Sequence, residues 1–258
     1  MTVLFLYSFL VLLRRSPVVS HSSALCGPKV QLKMEARRPK IQEGYLGPQT
    51  NWEQLGLVAA SHPEPEITTK NNHLEVKIQS RKRAKFTHTL INCRTNFDIS
   101  KYVFLQMKDG VANFLVHMPT VDYYKLQIYA LPADDERKSH PNVYNYLIHC
   151  THALQPVFPF PKVFLPWTAG CYLHEPLTLN LNSKLMNMDW HVEVPESDGV
   201  AVVCDGEWHH FENVGGSEWK AHFNLEKHRM KGMKVALSAN LKSGEKDKYA
   251  ALLEYTLE

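Results

Sequence analysis

Tyr123–Cys150 reads YYKLQIYALPADDERKSHPNVYNYLIHC, two apolar runs around a polar, charged middle. In the first run Tyr124, Leu126 and Ile128 alternate with their neighbours. In the second, Val143, Asn145 and Leu147 lie on one face and Tyr144, Tyr146 and Ile148 on the other. A period of two sends successive side chains to opposite faces of an extended chain, so the stretch predicts a β-hairpin with a long solvated tip. The end of the chain, Met233–Glu258 (MKVALSANLKSGEKDKYAALLEYTLE), repeats the order of strand, charged loop and aromatic strand. Tyr124-Lys125 aligns with Met233-Lys234, Ile128 with Leu237, Ala130 with Ala239, and Tyr144 falls near Tyr249. A repeat of roughly 105 to 110 residues is a whole domain and predicts two tandem modules, each closed by the same hairpin.

Strand-like runs recur about every ten residues between these hairpins, which is the spacing of a β-sandwich. Leu74-Val76-Ile78, Phe86–Leu90 and Val103-Leu105-Met107 read as strands, and Asp109-Gly110 marks a tight turn into Val111–Met118. Gly44–Leu57 offers Trp52, Leu55 and Leu57 as a short amphipathic turn that caps a core. In the second half, strands are expected near Leu177–Leu181, Met188–Val194, Val200–Cys204, Trp208–Phe211, Trp219–Leu225, Lys234–Ala239 and Ala250–Leu257. Ala153–Pro166 carries Pro156, Pro159, Pro161 and Pro166 and reads as a stiff extended connection. Its Phe158, Phe160, Phe164 and the following Trp167 are too apolar for a free linker and are expected to pack at the junction. The expected division is a signal-like or disordered segment at 1–40, one sandwich at 41–153 and a second at 154–258.

The 258 residues are 44% hydrophobic and 21% charged, enough to bury cores without staples. A net charge of +3 argues against a dedicated nucleic-acid binder. Five cysteines (Cys26, Cys93, Cys150, Cys171, Cys204) lack CxxC or paired spacing and read as thiols in a reducing compartment. Val3–Leu13 is an eleven-residue apolar run and Ser22-Ser23-Ala24 offers small residues for cleavage, yet Arg14-Arg15 follow the run rather than precede it. A secretory signal and a non-native start both stay open. Eleven residues are too few to span a bilayer, and no stable membrane insertion is expected.

Gly170-Cys171-Tyr172-Leu173-His174-Glu175-Pro176-Leu177 resembles the C-terminal region of the kyphoscoliosis peptidase and hillarin family of transglutaminase-like proteins. Tyr45–Leu57 (YLGPQTNWEQLGL), Tyr124–Ala130, Tyr144–Cys150 and Leu252–Tyr255 are similar to the same family, so the resemblance runs from about Gly44 to the end. It implies two immunoglobulin-like β-sandwiches that follow a papain-like core with a Cys, His, Asp triad, and partners that are cytoskeletal or adaptor-type proteins inside the cell. Such a nucleophile needs a thiolate at a helix N-terminus beside an imidazole. Cys93 in INCRTN, Cys150 in a strand and Cys204 in VVCDG lack that setting, and some 40 residues before the first sandwich motif are too few for the core. No catalytic residue is carried over. The expectation is a non-enzymatic protein-binding or scaffolding module, cytoplasmic or cytoskeletal. The alternatives are the tail of a cysteine peptidase whose core is missing from this chain, and a secreted sandwich if Val3–Leu13 acts as a signal.

Other constellations have bland readings. Asp205–Lys220 faintly echoes the family's His-x-Trp pattern but reads as a Trp-capped turn and strand pair. Fourteen histidines raise a metal question. His149 and His152 around Cys150 diverge on a strand, His209-His210 are adjacent, and no set of converging ligands is visible, so no metal or cofactor is expected. Arg81-Lys82-Arg83-Ala84-Lys85 reads as a solvated hairpin tip, and Asp134-Asp135-Glu136 as a solvent loop. Trp52, Trp167, Trp190, Trp208 and Trp219 read as core or junction anchors with their N–H groups on backbone carbonyls.

Overall fold

A computed structural model describes residues 36–137, 139–244 and 248–258. The expectations for Val3–Leu13 and Cys26 lie outside the described residues. In the first half the strands are β1 (Gly47–Pro48), β2 (Leu57–Ala59), β3 (Glu66–Thr69), β4 (His73–Ser80), β5 (Ala84–Asn92), β6 (Val103–Lys108), β7 (Val111–His117), β8 (Asp122–Pro132) and β9 (Asn142–Cys150). In the second half they are β10 (Lys162–Val163), β11 (Tyr172–Glu175), β12 (Met188–Glu193), β13 (Ser197–Cys204), β14 (Glu207–His210), β15 (Glu212–Gly215), β16 (Glu218–Phe223), β17 (Lys234–Leu241) and β18 (Ala250–Thr256).

Four sheets result, two in each half. The first half holds β1-β9-β8-β5, with β3 parallel to β9, and β2-β4-β7-β6. The second holds β10-β18-β17-β13-β14 and β11-β12-β16-β15. Strands that are consecutive in sequence change sheets, as in β4 to β5 and β14 to β15. Each half is therefore an antiparallel immunoglobulin-like sandwich with an apolar layer between its sheets.

The deciding hairpin is β8–β9, in which Leu126 faces Tyr146 and Ile128 faces Tyr144. Its second copy is β17–β18, in which Val235 faces Tyr255 and Leu237 faces Leu253. With Ile128 matched to Leu237, the register makes Tyr146 the counterpart of Tyr255, and Tyr144 the counterpart of Leu253. The expected match of Tyr144 to Tyr249 is corrected, since Tyr249 precedes β18. Tyr146 and Tyr255 are buried, and each hydroxyl donates to a backbone carbonyl, His62 O before Pro63 at 2.8 Å and Pro176 O at 2.7 Å. A buried phenol needs such a partner, and each pins the incoming segment of its sandwich to the closing strand.

Alternation placed most strands, and three expectations are corrected. Leu177–Leu181 is not a strand. Leu179 is buried and Leu177 and Leu181 pack on the core, but the pairing strand is Tyr172–Glu175, before Pro176, which has no N–H to give a ladder. Arg81–Lys85 is not a hairpin tip but the passage from β4 in one sheet to β5 in the other. It lies against the acidic tip, where Ala133 N donates to Arg83 O at 2.9 Å and Lys85 Nζ to Asp135 O at 3.2 Å. Finally, the Trp190 and Trp219 indole N–H groups are buried without partners, because apolar residues surround them.

The two halves meet through β6. Phe104 from the first half is buried in the second core, 5.7 Å from the Phe160 ring and 5.8 Å from Trp167. Gln106 is buried and bonds both ways with Leu173, its Nε2 donating to Leu173 O (3.1 Å) and its Oε1 accepting from Leu173 N (2.6 Å). Phe160 N donates to Lys101 O, and the Phe160 ring stacks 4.1 Å from His117. Of the four expected junction aromatics, Phe160 and Trp167 are buried, while Phe158 and Phe164 are half-buried. A cavity of about 350 Å³ opens beside this contact, lined by His73, His117, Phe160 and Leu177 among others.

Candidate functional site: the two faces of an edge strand

Sheet edges are where a sandwich can accept a partner, because their outward N–H and C=O groups have no neighbour. The chain leaves β13 through Asp205-Gly206, both with positive φ (49° and 78°), the conformation of a tight two-residue turn, and returns as β14 at the end of its sheet. The register pairs Cys204 with Glu207, Val203 with Trp208, Val202 with His209 and Ala201 with His210. Residues flanking a two-residue loop form the hydrogen-bonded pair, so Glu207 and His209 point their backbone groups to β13. Trp208 and His210 point theirs to the open edge. Phe211 N, next in phase, donates to Val200 O at 3.0 Å, as this phase requires.

Side chains alternate too. On the outer face Trp208 is 49% exposed and forms a cluster with His210, at 6.2 Å with nearly parallel rings, and with Tyr249, at 5.0 Å edge-on. Gly199 makes room for this cluster: a Cβ there would stand 2.5 Å from the Tyr249 hydroxyl. Trp208 is thus no core anchor, which corrects the expectation. It is a large rigid ring on the open edge of a sheet.

On the inner face Glu207 and His209 meet His228 from the short 3-10 turn Glu226–His228. One ligand-capable atom from each lies within 4.8 Å of the others. The Nε2 atoms of His228 and His209 stand 3.5 and 3.9 Å from Glu207 Oε2. Both Nε2 atoms are buried without a hydrogen-bond partner, and His228 is only 5% exposed. Lys227 Nζ pairs with the Glu207 carboxylate at 2.6 Å, which, as the main cause, holds that acid below its ordinary range. Burial is the main cause that lowers His209. Nothing in the sequence placed His228 in this group, since it lies on a loop without periodicity.

Burial disfavours the thiolate form of the four described cysteines. Burial pushes Cys93 and Cys204 up to about 11 and Cys171 up to about 12, and raises Cys150. All four are free; Cys150 Sγ donates to His152 O at 3.3 Å and Cys171 Sγ to Pro166 O at 4.0 Å, as protonated thiols do. His149 does not turn toward Cys150 but stacks on Tyr123 at 4.1 Å, and His152 bonds Thr151. Asp205–Lys220 holds the expected turn and a strand pair, β15 with β16, but Trp208 stands exposed on β14 instead of capping the turn. No catalytic domain is evident among the described residues, and no helix there is long and apolar enough to cross a membrane.

Residues 40–161 match the family model described as "KY-like, immunoglobulin-like domain", which makes this stretch an immunoglobulin-like domain of KY-like type. No curated protein matches. Among solved structures the chain is similar to titin domains I67–I69, with 12% identity and a TM-score of 0.23 over 75% of this chain and 61% of that one. It is similar to a marsupial T cell receptor, with 10% identity and a TM-score of 0.25 over 76% of this chain and 93% of the receptor. A third likeness is to the titin I9–I11 tandem, with 7% identity and a TM-score of 0.22 over 78% of this chain and 66% of that one. The chain thus spans less than two thirds of the length of these two titin fragments. Likenesses at this level carry nothing about partner or activity.

Proposed function

We propose that this chain is a non-catalytic protein-binding or scaffolding module of the kyphoscoliosis peptidase and hillarin kind, acting at the cytoskeleton. The observation that carries the binding role is β14, which presents an exposed Trp208 on one face and the backbone of Trp208 and His210 at the sheet edge. An extended segment of a partner protein adds there as a further strand. Main-chain pairing supplies affinity, and Trp208 anchors the alternate side chains. The match over residues 40–161 supports the family assignment, and it extends to the cytoskeletal setting by resemblance.

A photo-reactive residue placed at Val214, on the neighbouring exposed strand, tests this with the full chain in a detergent-extracted cytoskeletal fraction. Cross-linking to a discrete protein is expected, and Trp208→Ala and Trp208→Pro should each reduce its yield by about tenfold or more. Yields unchanged by both substitutions would reject β14 as the docking edge. The same family match supports a second reading, that the chain belongs to a longer transglutaminase-like cysteine peptidase. An in-frame Gly-x-Cys motif followed by His and Asp in the upstream genomic sequence would establish it.

A further inference from the structure

Glu207 and His209 from β14 converge with His228 from the Glu226–His228 turn on the inner side of the same hairpin. His228 is buried, and its Nε2 stands 3.5 Å from Glu207 Oε2 without a well-formed hydrogen bond. His209 Nε2 likewise has no hydrogen-bond partner. A buried polar atom left unpaired costs stability, so a native structure normally satisfies it with water or an ion.

We propose that Glu207 Oε2, His209 Nε2 and His228 Nε2 bind a divalent zinc ion. Zinc accepts imidazole nitrogen at about 2.0–2.1 Å and carboxylate oxygen at about the same distance, so tetrahedral ligand atoms stand about 3.3 Å apart. The separations of 3.5 and 3.9 Å from Glu207 Oε2 to the two nitrogens are within a side-chain adjustment of that figure. Two nitrogens and one oxygen of intermediate softness suit zinc among first-row ions, and water takes the fourth position on the exposed Glu207 side. Cys204 pairs with Glu207 across the hairpin but lies outside the ligand group. Lys227 now neutralises the carboxylate and must swing away when the ion binds. The ion would tie the Glu226–His228 turn to the β13–β14 hairpin. Ligands that titrate must be neutral imidazole and ionised carboxylate, so binding weakens as pH falls.

Zinc chloride titrated into the metal-free full chain near neutral pH, followed by calorimetry and thermal melting, tests the site, with cobalt(II) absorption as a report of tetrahedral coordination. One saturable ion per chain and a raised melting temperature are expected. Glu207→Gln, on an exposed side chain, and His228→Gln should each weaken affinity by about tenfold or more. Lys227→Ala should tighten it by removing the competing cation, and His210→Ala, on the outer face, should leave it unchanged. Circular dichroism shows whether each variant is folded. Absence of saturable binding in the folded wild type overturns the proposal. So does affinity that Glu207→Gln or His228→Gln leaves unchanged or that His210→Ala abolishes, and so does zinc affinity that Lys227→Ala leaves unchanged.

Discussion

The hairpin β8–β9 and its counterpart β17–β18 are alike in what they bury, each in its own core, and differ at their borders. Tyr146 and Tyr255 occupy equivalent register positions, and each donates its hydroxyl to a backbone carbonyl, His62 O and Pro176 O. At the next inward position, Tyr144 in the first copy donates to Pro63 O at 2.9 Å, whereas its counterpart Leu253 has no polar group. The edge of β9 is covered by both β1 and β3, while the edge of β18 is met by β10 alone, two residues long. Before β18, Tyr249 turns outward onto Trp208. The buried hairpins are thus alike while their edges differ.

The comparison can be broken most severely at Phe104, a first-half residue in the second-half core. Phe104→Ala should cost about 3–5 kcal/mol. Denaturant unfolding followed by the fluorescence of Trp167 and Trp190 should show a lower midpoint. An unshifted transition in those tryptophans would mean that the halves are energetically separate.

A second difference is the size of the acid sensitivity, since burial lowers His191 and His209 in the second half less strongly than His88 and His117 in the first. Burial lowers His88 and His117, both in the first half, from 6.5 to about 4. Between these values the unfolded chain takes up protons that the folded chain refuses, so stability is complete above about pH 6.5 and falls as pH drops toward about 4. Each group accounts for roughly 3 kcal/mol over that window. Urea midpoints measured across it should decline, and His88→Gln should flatten part of the slope; a level profile would contradict the burial of these rings.

Smaller effects test the shared tyrosines. Tyr146→Phe and Tyr255→Phe should each cost about 1 kcal/mol, since each leaves a carbonyl short of a donor. Thermal melts that give clearly unequal losses would show the two copies to be less alike than their register. Smallest of all is Trp208→Ala, expected to change stability by no more than about 0.5 kcal/mol because the ring is exposed. Its effect should appear in partner cross-linking.

Much of the fold was legible. Alternation at Leu74–Ile78, Val103–Met107 and in both closing hairpins named strands that exist, and Asp109-Gly110 and Asp205-Gly206 named turns with both φ values positive. These signals are local, being set by side-chain period and by which residues tolerate left-handed backbone. Glu212–Gly215 escaped notice because all four residues are exposed and show no alternation. Leu177–Leu181 misled for the opposite reason: its leucines pack on a core without entering a sheet.

The site was less legible. His209 was visible beside His210, but adjacency put the two on opposite faces of a strand, and the true neighbour of His209, His228, is a loop residue nineteen positions on. Trp208 carried the same sequence signature as the buried Trp190 and Trp219.

The sequence by itself determined an all-β chain with a repeated closing hairpin, because period, turn chemistry and flanking residues are properties of short stretches. Only the tertiary structure decided that Trp208 stands at an open edge, that Phe104 crosses into the second core, and that Glu207, His209 and His228 meet. Those outcomes depend on which strands pair and which sheets stack, and that is set by burial across the whole chain rather than by any residue's neighbours in sequence.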